Sequence, residues 1–398
     1  MVSRPVPADR RDPSKWTLSS PMYAVDSMFQ AVVQANPHLR PRVGNPDEMK
    51  SNRLTGTLDL LKFRVTNPEP LVPENVHGAV ITALNEEAVA SAALANKGGI
   101  NLIATYEAFG TKMQGVVRQE IIFTNHCNEW GLCQQRWLSI PLILTSHVWE
   151  NAKNEQSHQD PSMAEAMLGE MSDVSRVIFI ADYNNAAVVM QHLYRTQRQI
   201  WIIVTAKYEA MPDLFTPDEA ETLLRDGAIR IEWAGYESEQ PKLLLTAVGG
   251  YQLVEILKAS ARLADHHVPH SVIYMLEPGR FREPRSKGEL AHVAAEELRK
   301  KLYPDNVLSR IFVVHARPQT ILGVLQPLNT GYKNTVGLGY MGQGGTLTAS
   351  GMLFVNRTTW AHVLDASARI LGMARESLLT PKETAAVDGR SSPEGVIV

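Results

Sequence analysis

The chain has 398 residues, and its 39 Lys and Arg against 42 Asp and Glu leave a net charge of −3. That balance argues against nucleic acid or an anionic membrane surface as partner. With 44% hydrophobic and 20% charged residues, the composition is that of a globular protein with length for two or three domains.

In chain order, "MVSRPVPADRRDPSKW" opens the sequence without the apolar core of a secretory signal. No run of about 18–20 apolar residues follows that could span a membrane, and a cytoplasmic protein is expected. Short apolar runs then recur: "GINLIATY", "IPLILTSH", "SRVIFIAD" and "QIWIIVTAK". Each has the length and continuous hydrophobicity of a buried parallel strand. Helical patterns separate them, such as "NEEAVASAALANKG", with a glycine expected at its stop, "SMAEAMLGEM" and "NAAVVMQHLYRT". Cys127 and Cys133, in "CNEWGLC", are too few for a disulfide framework and are not spaced as a zinc knuckle, so reduced thiols are expected.

"MPDLFTPDEAETLLRDGA" interrupts the alternation with prolines and acids, which places an inter-domain connection near Tyr208 to Asp226. Strand-like runs resume with "AIRIEWAG", "PKLLLTAVGGY", "HSVIYML" and "RIFVVHARP". The helices among them read "YQLVEILKASARLADHH", "KGELAHVAAEELRKKLY" and "WAHVLDASARILGMA". Two doubly wound, mostly parallel α/β domains follow from the alternation, over residues 18–210 and 227–376, with 377–398 as a flexible tail.

"NEQSHQDP", Asn154 to Pro161, sits just past the carboxyl end of a predicted strand. Ligands of open α/β sheets bind beyond those ends, yet polar connections between buried elements are also common. From the residues alone it is either a solvated loop or the floor of a site.

Four segments in order carry a resemblance. "NPDEMKSNRL" (Asn45 to Leu54) is similar to a "GPDE…SNRL" segment, and "ATYEAF" (Ala104 to Phe109) to "YEAF". "ILTSHVWENAKNEQSHQDP" matches an "LLTSHVW…N…HQDP" segment, and "GYMGQGGTLT" (Gly339 to Thr348) resembles "GYKEEGTTTT". These belong to the phosphoketolases of the transketolase superfamily of thiamine diphosphate enzymes. The resemblance runs from about residue 40 to about residue 375 and implies the transketolase-type pyrimidine-binding domain followed by the C-terminal domain. No "GDG…N" metal motif of the diphosphate-binding domain stands in the sequence.

The resemblance implies roles. Glu48 matches the glutamate that bonds the aminopyrimidine ring nitrogen and sets up removal of the thiazolium C2 proton, and burial of such an acid would raise its pKa. Tyr106, Phe109 and Asn151 match cofactor-contacting positions, the aromatic faces stacking on the pyrimidine. Asn154, His158 and Lys153 fall where substrate is met, His158 also as a proton carrier. Lys207 matches a lysine that meets the sugar phosphate. His147 is a lesser candidate.

No metal ligand is expected in this chain. Thiamine diphosphate and Mg2+ would be shared with a separate diphosphate-binding subunit that holds most of the metal, in an α2β2 assembly. The implied reaction is cleavage of a ketose or ketose phosphate C–C bond with transfer of the two-carbon unit. Lys153 and Glu155 replace a His and a Gly of the family pattern, and Met341, Gly342 and Gln343 replace its Lys-Glu-Glu. They leave open a two-carbon or acyl transferase with an unusual acceptor, or a non-catalytic partner of a full-length homologue.

Overall fold

The computed structural model describes residues 3–131, 137–150, 152–236 and 240–398, with only the backbone of Ala152 and Lys153. The chain forms two compact units. One gathers Met1–Val6, Thr17–Val148 and Ser162–Glu221; the other gathers Pro7–Trp16, Trp149–Pro161 and Thr222–Val398.

The first unit contains β1 (Leu18–Ser19), β2 (Pro41–Gly44), β3 (Phe63–Arg64), β4 (Glu74–Asn75), β5 (Val80–Ile81), β6 (Ile100–Tyr106), β7 (Ile140–Thr145), β8 (Ser175–Phe179), β9 (Ile200–Val204) and β10 (Met211–Pro212). Eight of these make one sheet in the order β4-β3-β5-β2-β6-β7-β9-β8, every neighbouring pair parallel. β1 and β10 form a separate antiparallel pair. The runs read as strands are strands because both of their faces are covered. Every residue of β7, β8 and β9 is buried, and each buried Val, Leu or Ile contributes roughly 1.5–3 kcal/mol. Asp182 caps the helix Tyr183–Leu193 through Asn185 N and also accepts from Leu214 N and Phe215 N.

The second unit holds β11 (Ala228–Arg230), β12 (Leu243–Val248), β13 (His270–Met275), β14 (Ser309–Val314) and β15 (Thr335–Leu338). Their order is β11-β13-β12-β14-β15, with only the edge strand β11 antiparallel. The α/β class with parallel sheets expected from the alternation is the class observed.

Several local expectations differ. "KGELAHVAAEELRKKLY" is two helices, Lys287–His292 and Glu296–Leu302, because Val293 turns extended at ψ 154. The helix Glu86–Leu94 stops at Ala95 rather than at the glycine. The stretch 377–398, expected as a flexible tail, carries the helix Pro381–Val387. A capping box between Thr380 and Glu383 starts it, and Arg262 holds Glu383 through Nη2 to Oε1 at 3.1 Å. Cys127 is disulfide-bonded, not a reduced thiol; Cys133 lies outside the described residues. Among the described residues no helix is long and apolar enough to cross a membrane.

Candidate active site

β2 and β6 are neighbours in the first sheet, and the chain leaves them in opposite directions. After β2 it builds β3, β4 and β5 on one side; after β6 it builds β7 on the other. Connections that diverge in this way open a crevice at the carboxyl ends of the two strands. "NPDE" follows β2 and "EAF" follows β6, so two of the four family segments meet at this switch point.

Asp47 ties the two strand ends together. Its Oδ2 accepts from Thr105 Oγ1 at 2.9 Å and from Tyr106 N at 3.0 Å, and Asn45 Nδ2 donates to Ala104 O at 3.1 Å. Burial pushes the Asp47 carboxyl above its ordinary range, against the pull of those two hydrogen bonds. The turn then anchors Met49 and Leu54 in the core. Glu48, between Asp47 and Met49, is left exposed. The expected burial of the Glu48 acid is not seen in this chain: Asp47, half-buried and held by the end of β6, is the more desolvated of the two carboxyls, and its neighbour is exposed.

Tyr106 and Phe109 stack with ring centroids 6.1 Å apart and planes 21° apart. Both are half-buried. Ser51 Oγ lies 2.8 Å from Tyr106 OH and accepts from Lys207 Nζ at 3.3 Å. Lys207 Nζ also stands 4.7 Å from the Tyr106 ring centroid, a cation–π distance. Burial raises the Tyr106 hydroxyl pKa; the Ser51 hydrogen bond opposes this, and the Asp47 and Glu48 charges reinforce it. Lys112 Nζ sits 4.5 Å over the Phe109 ring and pairs with Glu86 at 2.9 Å.

This donor set has a definite chemistry. An exposed carboxylate at the same strand ends as two aromatic rings can grip the edge of a flat nitrogen heterocycle and hold or take a proton there. The carboxylate and rings fit an aminopyrimidine, and the lysine beside Ser51 fits an anionic oxygen.

The opening motif belongs to the second unit. The chain leaves the first unit at Val148 and re-enters it at Ser162. Trp149 is fully buried and meets His315 and Tyr340 edge-on, with centroids at 6.3 and 6.2 Å. Gln159 Nε2 donates to Gly345 O at 3.0 Å, and Gly345 N donates back to Gln159 Oε1 at 3.2 Å. Tyr340 OH donates to Gln159 O at 2.7 Å. Thr346 Oγ1 donates to Glu155 Oε1 at 3.1 Å, and Arg317 pairs with Asp160 at 3.1 Å. The opening motif and "GYMGQGGTLT" thus latch onto each other. A Cβ at Gly344 would lie 2.0 Å from Gln159 Oε1, so any larger residue there must displace the end of that glutamine. Within the motif, His158 Nδ1 is 2.8 Å from Ser157 Oγ, and Ser157 Oγ donates to Asn154 O.

Of the residues singled out from the sequence, Tyr106, Phe109 and Lys207 come together in the first unit, with Glu48 at the same strand ends. Asn154 and His158 stand in the second unit. His147 is buried. Asn151 and the Lys153 side chain lie outside the described residues. Ser51 and Asp47 escaped the sequence reading. Ser51 stands three residues after Glu48 in the same quoted segment, one turn on, which was the available signal.

Comparison with known proteins gives the same picture. The family described as D-xylulose 5-phosphate/D-fructose 6-phosphate phosphoketolase matches residues 23–196, and its C-terminal domain matches residues 209–384. The chain belongs to the phosphoketolase and transketolase superfamily of thiamine diphosphate enzymes. It covers the pyrimidine-binding and C-terminal domains of that superfamily. A probable phosphoketolase of Streptomyces coelicolor is 28% identical over 348 residues, 84% of this chain and 42% of that protein. One of Rhodopirellula baltica is 26% identical over 380 residues, 90% of this chain and 46% of that protein. The chain therefore spans less than half the length of these phosphoketolases. In fold it is similar to the transketolase from Leishmania mexicana, with TM-score 0.67, 14% identity, and coverage of 92% of this chain and 48% of that one. It is also similar to a split gene transketolase, solved as an inactive beta4 tetramer, with TM-score 0.56 and 13% identity. That likeness covers 89% of this chain and 99% of that one.

Proposed function

We propose that the chain is one subunit of a two-component thiamine diphosphate enzyme that cleaves a ketose phosphate beside its carbonyl and transfers the two-carbon unit. The observation that carries the reading is the exposed Glu48, whose charge reaches Tyr106, at the same strand ends as the stacked Tyr106 and Phe109 rings, at the switch point of a phosphoketolase-family sheet. Thiamine diphosphate, when bound, supplies the electron sink for breaking the carbon–carbon bond. Glu48 holds the proton at the pyrimidine ring nitrogen. Tyr106 and Phe109 present their faces to that ring and keep water from it. Lys207, positioned by Ser51, meets the phosphate of the sugar. His158 and Asn154 meet the sugar oxygens.

The diphosphate and its Mg2+ are assigned to a separate subunit, with α2β2 the simplest closed assembly. Support comes from the likeness in fold to a split gene transketolase chain. An unusual acceptor is the second reading, favoured by Glu155, whose carboxylate takes Thr346 at a family glycine position.

The test is proton exchange at the thiazolium C2 in the assembled enzyme. Glu48→Gln keeps the size of the side chain and should slow exchange at least about 10²-fold, the lower end for positioned acid–base groups. Unchanged exchange overturns the assignment and favours a non-catalytic partner role.

A further inference from the structure

In the second unit, β15 is the outermost strand of its sheet among the described residues. Its register on β14 fixes which backbone groups point away from the sheet. Arg310 N donates to Asn334 O at 2.8 Å, and Arg310 stands opposite Thr335. In a parallel ladder such a residue bonds the two neighbours of its opposite number, whose own N–H and C=O turn the other way. By the same alternation Gly337, opposite Phe312, turns both groups to the outer edge, with Thr335 O beside them. Thr335 N is taken by Gly331 O at 2.9 Å; Gly337 has no partner on that side among the described residues. Two clefts, of about 530 and 350 Å3, run along this strand. Val336 lines the first and Leu338 the second, and Arg369 of the helix Trp360–Leu371 lines both. Lys333 adds a cation to the first and Arg357 to the second. All three cations are exposed and form no ion pair among the described residues. The two carboxylates in the lining are already paired: Asp365 with Arg375 at 3.1 Å, and Asp388 with Arg375 and Arg390 at 2.9 and 2.7 Å. The Arg357 charge reaches into the second cleft, where it adds to burial in lowering the His362 pKa.

We infer that this groove docks an extended acidic segment of a partner protein, which adds to β15 as a further strand and sets its carboxylates against Lys333, Arg369 and Arg357. Strand addition of this kind takes its affinity from main-chain hydrogen bonds and its selectivity from sites for alternate side chains. The face that carries the selectivity follows from Gly337. A Cβ there would lie 2.7 Å from Leu322 and 2.9 Å from Pro318, so the helix Pro318–Val324 closes that face. Val336 and Leu338 point to the other face, toward Arg369 and the clefts. Every second side chain of the incoming strand, about 6–7 Å apart, falls on that face, and charge complementarity makes those side chains acidic. A small anion could meet one arginine but would leave the strand edge unpaired, which favours a peptide. None of these residues belongs to the thiamine site proposed above, so the inference stands independently of it.

The test uses the full chain and the fluorescence anisotropy of a labelled, end-blocked peptide of alternating glutamate and valine. Its lysine–valine counterpart and free glutarate are the comparison probes. Saturable binding of the glutamate peptide is expected, with the lysine peptide and glutarate each at least about tenfold weaker. Hydrogen exchange followed by mass spectrometry should show the amides of 335–339 slowed by the glutamate peptide, the mark of main-chain pairing. Arg369→Glu, at an exposed position, should weaken binding about tenfold or more with an unchanged melting temperature. Lys333→Glu is a second variant should Arg369→Glu fold poorly, with the same direction expected. Absence of saturable binding would mean that the cations only guard the strand edge and would overturn the inference. It is equally overturned by glutarate or the lysine peptide binding as tightly, by unchanged exchange over 335–339 at saturation, or by full affinity in folded Arg369→Glu and Lys333→Glu.

Discussion

Asp47 and Glu48 are adjacent carboxylates with opposite environments, and that contrast carries most of the candidate site. Asp47 is partly desolvated and its Oδ2 is taken up by the end of β6; Glu48 is left to whatever enters the crevice. A buried histidine shows the same desolvation with a consequence for stability. His362 is 7% exposed and sits with Nδ1 2.7 Å from Thr359 Oγ1. Burial, aided by the nearby Arg357 charge, lowers its pKa to about 4. The folded state therefore favours the neutral ring. This contribution is present above the unfolded pKa near 6.5 and is lost as pH falls from there toward about 4. Between pH 7 and pH 5 the wild type should lose about 2 kcal/mol through this group. His362→Gln should flatten that part of the profile, read as a smaller drop in urea midpoint over the same range. An identical drop in the variant would mean that the ring does not titrate in this way.

At the scale of elements, two connecting segments are built structures. The turn after β2 is staked by Met49 and Leu54 and stapled by Asp47. The opening motif is latched by Gln159 to the glycine-rich turn around Gly345. Glu155 in that motif has φ 53 and ψ −157, a conformation that glycine adopts freely and other residues do not. The family pattern has glycine there, a residue that this conformation suits. Strain of this kind costs on the order of 1–3 kcal/mol, and glycine gives back roughly 0.5–1 kcal/mol in unfolded-state entropy. Glu155→Gly should therefore match or raise the melting temperature, while Glu155→Val, β-branched, should lower it. Calorimetry on the three proteins checks the order, and a valine variant as stable as the wild type removes the strain argument. The glycine-rich segment itself was legible as a turn from its composition. Its partner was not, because nothing local in "GQGG" points to a glutamine 186 positions away.

For the whole molecule, the question is how much of a cofactor site these residues can hold. Stacking of an aromatic pair contributes about 0.5–1.5 kcal/mol, and a hydrogen bond to a charged group about 1.5–3 kcal/mol. Their sum corresponds to dissociation constants in the millimolar range or weaker. The purified chain should therefore bind thiamine diphosphate with Mg2+ only weakly and cleave no ketose, both changing on addition of a diphosphate-binding subunit. Micromolar binding with turnover by the chain alone, measured by titration calorimetry and product assay, would sink the two-component reading.

The strands came through from the sequence because a strand covered on both faces must be mostly apolar, and β6, β7, β9, β12, β13 and β14 all are. The family segments named Glu48, Tyr106, Phe109 and Lys207 for the same reason that any motif works: a binding role constrains residue type at a position. The two-residue strands β3, β4 and β5 were invisible, since two residues show no period. The tertiary structure alone decided which of two neighbouring carboxylates is exposed, that Ser51 bridges Tyr106 and Lys207, and that the opening motif folds with the second unit. Each of these depends on contacts between residues tens to hundreds of positions apart, and side-chain periodicity carries information only over the few residues of one turn or one strand.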